Sequence, residues 1–302
     1  MHYVPRTYLK HFGTTKGKNS FVHRIPVLNP AESEIREVDI KTICVEPNLY
    51  SMPGKTADER MLVEDLYSEI FEKKYDRIYK ILIDPSVNEI SEEDRALVIS
   101  TVTSMYFRNN AWNIFINDFT SRIIESGYLK SKDLNKESFF INNEEIKIKD
   151  KTLEQIQEDY IKAGKATFNV TQFNQALKLL QIRQAGDVIM VMKLKDTDFE
   201  YVVGDHPVIC YKGNEKIIAP IDPANTITMP LDGKHRLILR PLVEEESNKF
   251  QIYRIPGRSL LAKGDFILAN FLQASSTSKS ILGSKNGILQ YIKHKQYFER
   301  LS

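Results

Sequence analysis

The opening residues His2-Tyr3-Val4-Pro5-Arg6-Thr7-Tyr8-Leu9 place an imidazole and a guanidinium four positions apart, between apolar residues able to anchor them. If Val4, Tyr8 and Leu9 pack, His2 and Arg6 are held beside the fold, with Pro5 stiffening the bend. His2 then suits acid/base work, phosphate binding or metal ligation, and Arg6 suits an anion contact. The alternative is a frayed start without a role. A second group is Val202-Val203-Gly204-Asp205-His206-Pro207. An apolar strand delivers Asp205 at its end, Pro207 stops the regular ladder and Gly204 permits a close approach. Asp205 is either a displayed catalytic carboxylate or the Asp of a turn that bonds its own backbone. A third is Arg108-Asn109-Asn110, three polar residues that interrupt an apolar stripe. A buried Asn109 has to be a structural bridge or part of a cleft.

These groups need positioning elements. Residues 1–55 and 187–258 read as strand-rich, and 56–186 and 259–302 as helical, within one domain. The fold class expected is α+β, a mixed sheet from the N-terminal and third-quarter strands packed on a central helical bundle. Met61, Leu62, Leu66, Ile70, Tyr75, Ile78 and Ile81 recur at helical spacing over 56–83, and Pro85 ends that run. Glu64, Glu69 and Glu72 on it could supply the further carboxylates that a metal-dependent site needs, but their spacing is that of a solvated face. Ser91 opens a helix running to about Glu125 with Gly127 as its stop, along Val98, Val102, Met105, Trp112, Ile116, Phe119 and Ile123. Residues 130–150 read as a surface excursion. Two further helices are expected, Thr152 to Lys162 and Thr171 to Ala185, the second through Phe173, Leu177, Leu180 and Ile182. Val188–Met192, Phe199–Val203, Val208–Tyr211, Thr226–Leu231 and Arg236–Leu239 read as strands, with Asp232-Gly233 as a hairpin turn. Helix is expected again over Ser259–Gly283.

Composition sets outer limits. In 302 residues, 42% are hydrophobic and 27% charged, which excludes a disordered chain. Lys and Arg number 42 against 40 Asp and Glu, a net charge of +2, so any nucleic-acid surface must come from uneven distribution. Two cysteines, Cys44 and Cys210, read as free thiols of a reducing compartment. No apolar run approaches the ~20 residues of a membrane span and no signal peptide is evident, so a cytoplasmic protein without membrane contact is expected. There is no Gly-rich phosphate loop, His-Glu-x-x-His, Gly-x-Ser-x-Gly or Cys-x-x-Cys, and no cofactor or metal is expected.

His2 through Leu9 together with Gly204-Asp205-His206-Pro207 resembles an uncharacterised prokaryotic domain-of-unknown-function family. Its members open with His-aromatic-aliphatic-Pro-Gln/Arg-x-aromatic-Leu and carry a central Ser-Asp-x-Pro, in which Gly204 replaces the usual Ser. Met229-Pro230-Leu231 leading into Leu237-Ile238-Leu239, and Asn270, resemble later features of that family. Its Gln-x-x-Arg pattern is half present, since Arg108 fits and Met105 stands in place of Gln. The likeness spans nearly the whole chain. It implies a place among phage-defence genes, a role in acting on nucleic acid, and one site that gathers His2, Arg6, Arg108 and Asp205.

One Asp and one His are thin for a two-metal nuclease. A single carboxylate does suit N-glycosidic hydrolysis, where it steadies a sugar cation or orients water while His, Arg or Asn holds the departing base. The reading is therefore a hydrolase, a metal-independent DNA glycosylase acting on bases of DNA, phage DNA included. Asp205 and His2 are its catalytic residues, and Arg6, Tyr8, Arg108, Asn109, Asn110, His206 and Asn270 bind substrate. Tyr3, Tyr8, Phe107 and Trp112 are candidates to stack on a flipped base. A metal-dependent nuclease and a non-catalytic nucleic-acid-binding sensor are the alternatives.

Overall fold

The computed structural model describes residues 2–300 apart from 47–48, 51–55, 71, 109, 142, 196–198, 214–220, 244–247 and 258–259. Arg6–Leu9 forms a single helical turn (α1), followed by strands β1 (Thr14–Lys16), β2 (Asn19–Pro26) and β3 (Arg36–Asp39). Helices α2 (Ala57–Ile70), α3 (Tyr75–Ile83), α4 (Glu92–Phe107) and α5 (Asn110–Asp133) come next. A hairpin of β4 (Ser138–Ile141) and β5 (Glu144–Lys147) leads into α6 (Leu153–Gly186). Then follow β6 (Asp187–Leu194), β7 (Val203–Gly204), β8 (Ile209–Tyr211), β9 (Thr226–Pro230), β10 (His235–Pro241) and β11 (Ile252–Gly257). The chain closes with α7 (Leu260–Ser276), β12 (Ser280–Gly283) and α8 (Lys285–Glu299).

The fold is α+β, as expected. One five-stranded sheet runs β1-β2-β12-β7 with β3 also on β2, so N-terminal and third-quarter strands meet through β12. The other third-quarter strands form a second sheet, β11-β6-β10-β9-β8, mixed because β11 runs parallel to β6 and the rest antiparallel. The Asp232-Gly233 turn joins β9 to β10; the Asp232 carboxylate accepts from the amides of Lys234 at 2.6 Å and His235 at 2.7 Å. The largest apolar cluster gathers Tyr3, Leu9, Tyr67, Val98, Leu179, Leu237 and Leu282, residues from both ends and the middle of the chain.

Several element limits differ from the sequence reading. The helix opened by Ser91 breaks at Arg108, whose φ −79° and ψ 39° lie outside the helical region. The Tyr50 hydroxyl donates to the Arg108 carbonyl at 2.9 Å, so a side chain takes over where the helical ladder lapses. Gly127 does not stop α5. A Cβ there would sit 2.5 Å from the Phe139 ring, so the glycine serves close packing of the β4–β5 hairpin on the helix. That hairpin replaces the expected irregular excursion and builds a small core of Ile124, Ile146, Ile148 and Ile156. The two helices expected after Thr152 are one helix of 34 residues, opened by a Thr152–Gln155 capping box. The final helical stretch yields β12 at Ser280–Gly283.

Candidate functional site

α4 and α6 lie antiparallel. At one end Arg95 donates to the carbonyls of Gln184 at 2.9 Å and Asp187 at 2.6 Å, capping the C-terminus of α6. Beside it, Arg183 is fully buried and donates to both Asp187 oxygens at 3.3 and 3.1 Å and to the Asn225 carbonyl at 2.6 Å. Burial pushes the Asp187 carboxyl up to about 6 even with Arg183 beside it.

The opposite end of α4 holds a second buried arginine. Arg108, 2% exposed, pairs with Glu72 and donates to the His2 carbonyl at 2.6 Å. Its guanidinium carbon lies 4.7 Å from the Tyr67 ring centroid and 5.2 Å from that of Tyr50. The N-terminal segment is thereby sewn down: His2 bridges Val45, and the Tyr3 amide donates to the Cys44 carbonyl at 3.0 Å. The imidazole is half-buried against the Ile40 and Lys41 backbone, and its buried Nε2 has no hydrogen-bond partner among the described residues. Burial first, and the Arg6 charge second, lower its pKa, so His2 is neutral near pH 7.

Glu64 on α2 faces the same guanidinium. Its Oε2 is buried without a partner, and burial raises the carboxyl pKa although Arg108 pulls it down. Glu72 lies near enough to add to the upward shift. Glu69 points away and pairs with Lys73 in solvent. The sequence offers Glu64 as a candidate carboxylate, but a misphased stripe assigns it to the solvated face. The buried face of α2 carries Val63 and Tyr67, while Leu62 and Leu66 are exposed at 55% and 37%. Reading Val63–Tyr67 as the inward pair would have turned Glu64 toward the interior.

Asp205 does not stand in this group. It is 1% exposed, and its carboxylate accepts from the Ser278 amide at 2.9 Å, the Ser278 hydroxyl at 2.8 Å and the Lys279 amide at 3.0 Å. It fixes the turn between α7 and β12, the Asp-turn alternative of the sequence reading, here with the turn supplied by a distant segment. Its charge does reach the N-terminal segment: with burial as the first cause, it helps push the Cys44 thiol up to about 12, where the sulfur stays protonated. Gly204 is required by the turn that follows α7, since a Cβ would meet the Thr277 hydroxyl at 1.7 Å.

The other expected residues divide. Arg6 is exposed close to His2. Tyr8 is wholly buried and donates to the Pro230 carbonyl at 2.7 Å, so its ring belongs to the core and not to a ligand face. Tyr3 and Phe107 are buried likewise, and Trp112 packs against the same core. Asn109 lies outside the described residues; Asn110 opens α5. The Nδ1 of His206 lies against the Ser276 carbonyl, leaving its buried Nε2 without a partner. Asn270 bridges α7 to the Glu200–Val202 segment, accepting from the Val202 amide at 3.0 Å and donating to the Glu200 carbonyl at 3.1 Å. The structure thus brings the His2 backbone, Arg6 and Arg108 together, while Tyr8, Asp205 and Asn270 hold elements in place; His206 holds the end of α7 through Nδ1 and keeps Nε2 without a partner among the described residues. Tyr50, Tyr67, Glu64 and Glu72 complete the Arg108 group.

Among the described residues no cluster of three or more His, Cys, Asp or Glu is placed to hold a metal ion, and no helix is long and apolar enough to cross a membrane. The fold and site define an α+β protein in which the backbone of an N-terminal histidine and the Glu72 carboxylate meet at one buried arginine, with Glu64 close by. The chain belongs to the family described as Protein of unknown function (DUF4238), which matches residues 1–285. No curated protein and no solved structure matches it.

Proposed function

We propose that this chain is a nucleic-acid-acting hydrolase of the antiviral-defence kind, a cytoplasmic, metal-independent DNA glycosylase in which Glu64, not Asp205, is the working carboxylate. The observation that carries the reading is the buried, unpartnered Oε2 of Glu64, raised in pKa by burial, beside the Arg108 that also holds His2. A carboxylate with a raised pKa is a stronger base than an exposed one. In N-glycosidic hydrolysis the C1′–N bond breaks with its electron pair leaving on the base. Glu64 steadies the resulting sugar cation and takes a proton from the incoming water as the water oxygen bonds C1′; that proton then passes to the departing base nitrogen, which returns Glu64 to its ionised form. Neutral His2, its N–H side against the Ile40 and Lys41 backbone, presents Nε2 as an acceptor to an N–H of the base, and exposed Arg6 meets a backbone phosphate. Arg108 is a positioning residue, since its two terminal nitrogens are engaged by Glu72 and the His2 carbonyl.

Incubating the protein with phage DNA in EDTA tests the reading. The expected product is alkali-labile abasic sites, and Glu64→Gln is expected to slow their formation by roughly 10²–10⁴-fold while DNA binding persists. The proximity of Glu64 and Glu72 favours a metal-dependent nuclease as the second reading. Strand breaks that arise only with Mg²⁺ or Mn²⁺ would establish it and remove the first.

A further inference from the structure

The buried stripe of α6 is Asn169, Gln172, Ala176, Leu179 and Arg183, a 3-4-3-4 rhythm in which two primary amides occupy positions normally apolar. Asn169 is 1% exposed and Gln172 4% exposed. Among the described residues neither Nδ2 nor Oδ1 of Asn169 has a hydrogen-bond partner, and the same holds for Nε2 of Gln172. A buried amide group without a partner costs its full desolvation, so one amide unpaired at both atoms and a second unpaired at its nitrogen, one turn apart, call for a cause.

Their level in the fold supplies one. Arg95 of α4 donates to the carbonyls of Arg183, Gln184 and Asp187, which fixes the antiparallel register of α4 and α6. Arg108 follows Arg95 by thirteen residues, about 20 Å of helix, and Asn169 precedes Arg183 by fourteen, about 21 Å. Asn169 and Gln172 therefore lie level with the break in the α4–α5 run. Phe173 beside them packs edge-on to Tyr67 with 6.3 Å between centroids, and Tyr67 covers Arg108.

We propose that Asn169 and Gln172 are the specificity-determining residues of the Arg108 site and read the hydrogen-bonding edge of a nucleobase. The inference rests on the nucleic-acid reading above and adds the part of the substrate that is recognised. A carboxamide presents one donor face and one acceptor face, and an adjacent ring nitrogen or carbonyl and amino group on a base satisfies both at once. A sugar or phosphate alone lacks that paired edge. Sites built on such amides discriminate strongly, because a ligand without the edge leaves them unpaired.

Calorimetric titration with the four 2′-deoxynucleoside 5′-monophosphates tests this, with base-free 2-deoxyribose 5-phosphate as the control. The wild-type chain is expected to bind at least one nucleotide and to bind the control far more weakly. The near-isosteric Asn169→Leu and Gln172→Met are each expected to weaken that nucleotide about tenfold or more, with the thermal midpoint unchanged or raised because an unpartnered buried amide has gone. Equal nucleotide affinity in both variants, a midpoint lowered in both, failure of both to fold, or no nucleotide bound by the wild type each overturns the proposal. Nucleotide binding lost in the variants, together with phage DNA left free of abasic sites by the wild type, would keep this inference and remove the glycosylase.

Discussion

The two ends of the α4–α6 pair each bury an arginine, and they are built on opposite terms. At the Arg183 end the carboxylate partner uses both oxygens on its arginine, and the neighbouring Arg95 caps exposed carbonyls. At the Arg108 end His2 Nε2, Glu64 Oε2 and the Asn169 amide have no partner among the described residues. Both arginines leave Nε unpartnered among the described residues, so that atom does not separate the ends; the carboxylates do, since Asp187 engages both oxygens and Glu64 Oε2 engages none. A polar cluster that is satisfied holds elements together, and one left unsatisfied is available to something from outside.

Breaking the closed end has the largest expected effect on stability. Asp187→Ala leaves Arg183 buried without its counter-charge and is expected to cost about 3–5 kcal/mol in denaturant unfolding, with turnover per folded molecule unchanged. A loss below 1 kcal/mol would dissolve the contrast. Asp205→Asn comes next. It replaces a charged acceptor of three hydrogen bonds and is expected to cost about 1.5–3 kcal/mol with turnover per folded molecule again retained. A collapse of turnover at full stability would return Asp205 to the chemistry.

Two smaller effects sharpen the open end. Glu64→Gln is expected to leave the thermal midpoint unchanged or slightly raised, since the side chain it alters holds little in place; a marked drop would assign Glu64 to the scaffold. The rate should climb with pH along a limb whose midpoint lies above 4.5, because Glu64 must be ionised and burial raises its pKa. His2, lowered from 6.5, is already neutral above that value, so the profile should be flat from about pH 7 to 8. A second rise centred near 7 would require a different titrating group.

Much of the scaffold is legible in the sequence, and the reason it stops short is specific. The α+β class, the Ser20–Ile25 strand within β2, the Ser91 and Thr152 helix starts and the Asp232-Gly233 turn follow from local patterning and capping residues. The phases of α2 and α6 do not. Their inward faces carry Tyr67, Asn169, Gln172 and Arg183, so a search for apolar rhythm settles on Leu62, Leu66 and Leu177, which are exposed. The break at Arg108 is set by Tyr50, a residue 58 positions away, and periodicity is blind to such contacts. Asp205 is read correctly as a strand-end acid, but its partners Ser278 and Lys279 lie in a distant segment that spacing does not reveal. His2 and Arg108 share a site in the sequence reading through resemblance, and a hydrogen bond joins them in the structure.

The uninterrupted 34-residue α6 ties the hairpin core at Ile156, the amides at Asn169 and Gln172, and the Arg183 anchor to one rigid screw. Exchanging side chains along its outer face leaves that screw intact. Adding or deleting a single residue between Ile156 and Asn169 does not, because it turns one end by about 100° against the other. That stretch should therefore tolerate changes of identity and refuse changes of length.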